Sequence, residues 1–277
     1  MICALIPARN EEQYIKQCLS SLSEVYTTKG EKIKVILVDD GSIDKTVEEA
    51  KKIAKKSKTL SLSVITISEN PCSNRLVCAL REGINHVDTP LFLRLDADMA
   101  VTKEILILHE IIEKNENIGA IGGKMPTFPV NIVNETMNII EGKFLRSNGF
   151  FRTNLVKEIG YMDIYAEDTL IYIKMREKGF KTVFIDKIIA HHLREHSKDQ
   201  FMRKWEQKAR ANIELGFPRW YPFLRVIKNT IQCLLKKNTR AVLLCISTFR
   251  PVMRGIKSGR IALDKKFKIL KYLESRA

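Results

Sequence analysis

The side chains best placed to do chemistry are two aspartates one residue apart, Asp96 and Asp98, at the end of LFLRLDADM, residues 91–99. Carboxylates this close repel unless a cation lies between them. Hard divalent ions such as Mg2+ take oxygen ligands and commonly complete their shell with water and substrate phosphates. The pair therefore suggests a metal–diphosphate site, although a D-x-D standing alone is more often a solvated acidic turn. The run before it, Leu91, Phe92, Leu93 and Leu95 behind Pro90, reads as a short buried strand. Ligands of open α/β sheets bind beyond such strand ends. Residues two apart in an extended segment share a face, so both carboxylates are expected in one crevice.

The elements that must position this pair can be read in order. Apolar runs at 2–7, 33–38, 62–67, 91–95, 118–123 and 181–186 read as strands. Between them, residues 11–25, 44–54, 74–86 and 103–114 carry helical spacing, and 167–178 form a further amphipathic helix before Gly179. GFFR, at 149–152, reads as a strand followed by a short helix ending at Gly160. Strands alternating with helices indicate βαβ units and a mainly parallel sheet. Residues 124–150, with two prolines, break the pattern and read as a substrate-side insertion. A helix is expected from 197 to 215, and basic amphipathic helices after it.

Charge is unevenly placed. Of the net +15, all comes from residues 191–277, which hold 21 basic and 6 acidic residues, while residues 1–190 balance. From Gly216 onward there are 15 basic and 2 acidic residues. Such asymmetry points to a polyanionic partner. The longest uncharged apolar-rich run of this tail, 241–249, is far short of the about twenty residues that span a bilayer. Basic amphipathic helices lying in an anionic membrane interface are the expected alternative, with Trp220 and Tyr221 suited to the headgroup belt. The bland alternative is a helical cap with solvated lysines and arginines. The six cysteines show no C-x-x-C pair and read as reduced core residues of a cytoplasmic protein. ICALIPA opens the chain without the pattern of a secretory leader.

IPARNEE after the first strand, VDDGSIDKT after the second, LFLRLDADM, GFFR with EIGYMD, the EDTL helix start and a histidine pair after the last strand fall in one order. This order resembles family 2 glycosyltransferases over residues 1–215. The resemblance implies a GT-A, Rossmann-like sheet flanked by helices; residues 216–277, beyond it, read as a basic amphipathic helical extension whose charge suggests membrane association. It implies a UDP- or GDP-linked sugar donor, Mg2+ or Mn2+, inversion at the anomeric carbon, and an acceptor that the basic tail suggests is lipid-linked or otherwise membrane-held. Pro7, Ala8, Asn10 and Glu11 look like the loop beside the nucleoside. Asp40 looks like the base-binding acid, with Asp39 nearby. Asp98 looks like a metal ligand, and Asp96 like a ribose or metal contact. Asp168 looks like the catalytic base. His192, in preference to His191, looks like the imidazole that completes the metal shell in some relatives.

The chemistry is consistent with these roles. A departing diphosphate builds negative charge that a divalent ion can neutralise. A hydroxyl acceptor needs a carboxylate within hydrogen-bond reach, and Asp168 beside Glu167 opens a helix, where the dipole favours a carboxylate. An N-cap role is the structural alternative. Arg152 could bind phosphate or simply pack. ENPCSNRLVCALREG departs from the glycine-rich text common in the family at that point, although Asn74 and Arg75 can still face a nucleotide. RKWEQKAR is not the Q-x-x-R-W signature of processive synthases, so one sugar per encounter is expected. A sugar-phosphate nucleotidyltransferase would carry a glycine-rich loop where this chain has ARNEE. A nucleic-acid-binding role lacks any helix-turn-helix, zinc-finger or RNA-recognition signature.

Overall fold

The computed structural model describes residues 2–128, 131–140 and 147–260. The chain divides into two compact units. The first comprises 1–128, 143–163 and 167–194, and the second 129–142, 164–166 and 195–277. The helix expected to close the first domain thus groups with the tail.

The first unit is built on a seven-stranded sheet in the order β3-β2-β1-β4-β7-β6-β8. Its strands are β1 (Ile2–Ala8), β2 (Ile33–Asp39), β3 (Leu60–Thr66), β4 (Leu91–Arg94), β6 (Ile118–Lys124), β7 (Gly149–Arg152) and β8 (Lys181–Ile188), with the short β5 (Met99–Val101) set apart. Every residue of β1 is buried, as its continuous apolar text requires of a strand covered on both faces. It pairs in parallel with β2 and β4, and only β7 runs against its neighbours. The helices are α1 (Ile15–Lys29), α2 (Thr46–Lys56), α3 (Arg75–Asn85), α4 (Ile105–Lys114), α6 (Thr153–Ile159) and α7 (Glu167–Glu177). Side chains of α1, α2 and α4 join one core cluster and those of α3, α6 and α7 the other. Gly83 lets α3 lie close on the sheet, since a Cβ there would come within 2.3 Å of Leu5.

Parallel register aligns the strand ends. Ala8 lies opposite Asp39, and Leu5 opposite Arg94. The loops after β1, β2 and β4 therefore leave from one edge. Because β2 and β4 flank β1 on opposite sides, this edge is the switch point where such sheets bind ligands.

A second, two-stranded sheet pairs β5 with β9 (Ala190–His192), placing His192 opposite Met99. These three-residue strands are too short to leave a periodic signal, and the sequence reading missed both. It also missed α5 (Ile132–Ile140), a helix of the second unit within the stretch read as an insertion; residues 129–130 and 141–146 of that stretch lie outside the described residues.

The cysteine expectation needs correction. Cys72 and Cys78 form a disulfide, while Cys3, Cys18, Cys233 and Cys245 are free and buried. Cys72 precedes α3 and Cys78 lies in its first turns, which brings their Cα atoms to 5.8 Å, within bridging range.

The second unit packs α5 with α8 (Lys198–Glu214), α9 (Tyr221–Leu235), α10 (Thr239–Ser247) and a further helical stretch, 249–260. Its core holds Val133, Met137, Phe201, Trp205, Val226 and Val252. No helix among the described residues is long and apolar enough to cross a membrane.

Candidate active site

The loops after β1 and β2 are locked together by polar contacts. The Asn10 N–H donates to Ser42 Oγ, and the Ile43 N–H donates to Asn10 Oδ1. The Glu11 N–H reaches Thr46 Oγ1 at 2.7 Å. Asn10 itself adopts φ +55°, a left-handed conformation that asparagine tolerates better than most residues. Pro7 and Ala8 end β1 beside Val38 and Asp39. Asp39 is buried, and its carboxylate accepts the Ser42 N–H. Asp40 is equally buried, and its carboxylate accepts two bonds from the Arg75 guanidinium, both at 2.8 Å, and one from Asn70 Nδ2 at 2.7 Å. Asp163, from EIGYMD, accepts the Ser73 and Asn74 N–H groups and so fixes the turn that delivers Arg75.

β4 stops at Arg94, and the D-x-D lies in a turn closed by the Met99 N–H on the Asp96 carbonyl. The expected extended geometry, with both carboxylates on one strand face, is therefore not what holds the pair. Each acid has its own partner. Asp96 is bracketed by Asn148, whose Oδ1 accepts the Asp96 N–H at 2.6 Å and whose Nδ2 donates to Asp96 Oδ2 at 2.9 Å. Gly149 makes this possible. At φ +150° it lies so close to β6 that a Cβ would come within 2.3 Å of the Ile121 carbonyl oxygen. Asp98 is buried, and its Oδ2 accepts Arg194 Nε at 2.8 Å and lies 3.5 Å from His192 Nε2. The backbone of β9 is clamped on both sides: the Leu193 N–H donates to the Asp98 carbonyl, and the Phe128 N–H to the His192 carbonyl. His192 is thus brought beside Asp98, while His191 pairs with Ala100.

The Arg194 guanidinium also binds both oxygens of Glu11 and lies over the Tyr14 ring at 5.0 Å. Burial raises the Glu11 carboxyl to about 7; Arg194 pulls it down, and Asp98 adds to the rise.

Asp168 lies in the first turn of α7, its Oδ1 accepting the Thr169 N–H. Its neighbour Glu167 is buried and pairs at 2.9 Å with Arg94, itself 1% exposed. This ion pair ties the start of α7 to the end of β4, two residues before Asp96. Burial pushes the Glu167 carboxyl up, with Arg94 opposing and Asp168 reinforcing. Arg152 packs: it donates to the carbonyls of Ile112, Asn115 and Ile118.

No group of three or more His, Cys, Asp or Glu side chains converges into a metal cage among the described residues. Asp98 and His192 nevertheless offer an oxygen and an imidazole nitrogen side by side. A small divalent ion needs only one or two protein ligands when phosphates supply the rest, so this donor set fits one.

The model of glycosyl transferase family 2 matches residues 3–173. The chain belongs to glycosyl transferase family 2. An uncharacterized glycosyltransferase of Haemophilus influenzae is 30% identical over 124 residues, 44% of this chain; the match spans about a third, 36%, of that relative. A dolichyl N-acetyl-alpha-D-glucosaminyl phosphate 3-beta-D-2,3-diacetamido-2,3-dideoxy-beta-D-glucuronosyltransferase of Methanococcus voltae is 23% identical over 229 residues, 73% of this chain and 70% of that one. Among solved structures, the mannosyltransferase PcManGT from Pyrobaculum calidifontis, in complex with GDP-Man and Mn2+, superposes with a TM-score of 0.60 at 16% identity, covering 99% of this chain and 81% of that one. Likeness at that identity speaks for the fold, which is the GT-A fold expected from the sequence.

Proposed function

We propose that this member of the family transfers a sugar, with inversion, from a UDP- or GDP-linked donor to a membrane-held, lipid-linked acceptor. The observation that carries the reading is the meeting of Asp98, His192, Arg194 and Glu11 at the carboxyl ends of β1 and β4. Pro7, Ala8, Asn10, Asp39 and Asp40 border the nucleoside. Asp40, held by Arg75 and Asn70, presents its carboxylate in one orientation. Asp98 and His192, with Asp96 adjoining, hold Mg2+ or Mn2+. When bound, that ion neutralises charge on the leaving diphosphate.

The remaining steps belong to the chain's own groups. The acceptor oxygen attacks the anomeric carbon as the bond to the diphosphate breaks. Asp168 takes the hydroxyl proton on a carboxylate oxygen, and a single displacement inverts the centre. The Arg94–Glu167 pair sets where Asp168 stands.

The acceptor assignment draws on the dolichyl phosphate in the name of the Methanococcus voltae relative and on the tail of the chain. Residues 216–277 are basic, and their helices expose Leu224, Ile227, Ile231 and Leu234 on α9 and Leu243 and Ile246 on α10. We place the protein peripherally at a membrane surface on these grounds.

The test is a thermal-shift screen of UDP- and GDP-sugars with and without Mn2+. Ligands that bind only the folded state raise the melting temperature by mass action. The expected result is a shift with one nucleotide class that requires the metal and is lost in Asp98→Ala, with sugar transfer lost in Asp168→Asn. An absence of any shift would refute the donor site.

A further inference from the structure

Asp98 Oδ2, the atom best placed to ligate a metal, already carries a cation. Arg194 Nε lies 2.8 Å from it, Nη2 of the same guanidinium is held by both oxygens of Glu11, and the group lies over the Tyr14 ring. Arginine stays charged at any accessible pH, so it cannot yield by losing a proton. A divalent ion bound to that oxygen would stand within a few ångströms of a fixed positive charge, where repulsion is strong at the dielectric of a half-buried site. A nucleoside diphosphate changes this balance. It brings two or more negative charges, and a planar guanidinium binds phosphate oxygens through paired N–H bonds. Glu11 would keep Arg194 near the site throughout.

Resting on the metal–diphosphate reading of this site, we propose that Arg194 is a built-in counter-cation. It competes with the divalent ion for Asp98 when no nucleotide is present, and turns to the donor's diphosphate when one arrives. Metal and nucleotide then bind with positive coupling, and metal alone binds weakly. Coupling of this kind is reciprocal, so nucleotide affinity rises with metal by the same factor. The device limits stable metal occupancy to the state that has a donor to activate.

The experiment is a titration of Mn2+ into the full chain, read by the electron paramagnetic resonance of free Mn2+, with and without UDP or GDP. Wild type, Arg194→Gln, Arg194→Lys and Asp98→Asn are compared, each first shown to be folded by its thermal melt. The wild type should bind Mn2+ weakly alone and about tenfold more tightly with the matching nucleotide, within the range usual for coupled sites. R194Q should bind Mn2+ alone about tenfold more tightly than the wild type and lose most of the coupling. R194K should keep both features in weakened form, and D98N should bind no Mn2+. Equal Mn2+ affinity of R194Q and wild type without nucleotide, with D98N still defective, would overturn the role of Arg194 and leave the metal site standing. Nucleotide binding with no Mn2+ binding in any variant would overturn the metal reading and this inference together.

Discussion

At the residue scale, the buried Arg94–Glu167 pair separates stability from chemistry. Both side chains are out of water, and removing one partner of such a pair typically costs about 3–5 kcal/mol because the other charge is left uncompensated. The two halves should not behave alike. Glu167→Gln strands an arginine that cannot deprotonate, so its melting temperature should fall at every pH. Arg94→Met strands a carboxyl whose proton affinity burial already raises, and loss of Arg94 raises it further. A carboxyl with a raised folded-state pKa binds its proton more tightly when folded. Stability is then greatest below the ordinary value of 4.5 and is lost as pH rises through the folded value. R94M should therefore regain stability on acidification where E167Q does not, measured by denaturant unfolding from about pH 8 down to about pH 4, which reaches the ordinary glutamate range from above. Equal pH profiles would refute an unpaired buried carboxyl. The D-x-D was legible in the sequence because its spacing is chemical. Arg94 was not, since one arginine inside LFLRL reads as an interruption of an apolar strand. Arg194, two residues past His192, had no partner in sequence to mark it.

At the element scale, the long elements were legible because burial imprints a period on them. The sequence strands and helices of the sheet unit recur within a few residues of their observed ends, from β1 to α7. Elements of three residues carry no period, so β5 and β9 were invisible, and with them the reason His192 stands at Asp98. Asn148 was missed for a related reason: its role comes from β7 lying antiparallel between β4 and β6, a non-local pairing that no local pattern announces. Asn148→Ala should leave the fold intact and lower metal–nucleotide affinity about 10–100-fold, the usual cost of losing a group that orients a metal ligand. Isothermal titration with UDP or GDP and Mn2+ would measure it, and unchanged affinity would remove Asp96 from the donor site. A contrasting case is Ser197, which caps α8 through a reciprocal box with Gln200. S197A should cost about 1 kcal/mol of stability, read in a thermal melt, and leave nucleotide affinity untouched.

At the scale of the whole molecule, charge asymmetry was legible as a count, but the count does not say where apolar surface lies. On α9, Leu224, Ile227, Ile231 and Leu234 recur at helical spacing on the exposed side, each about half accessible. Val226 and Cys233 face inward. Lys228, Lys236, Lys237 and Arg240 are exposed on the same stretch of chain. On the membrane reading proposed above, a helix lying among headgroups would bury this row and leave the basic residues at the lipid phosphates. Burying one such side chain fully is worth about 1.5–3 kcal/mol, and each lysine near an anionic surface about 1 kcal/mol. The double change Ile227→Glu with Ile231→Glu should therefore reduce sedimentation with phosphatidylglycerol vesicles by more than about tenfold. It should move the melting temperature little, because Ile227 and Ile231 are each about half exposed in the folded chain. Lys236→Gln with Lys237→Gln should weaken binding less, and its effect should shrink at high salt, where charge is screened and apolar burial is not. If the isoleucine variant sediments like the wild type while high salt abolishes binding in both, the tail meets its polyanion through charge alone. The exposed face of α9 then has no membrane role.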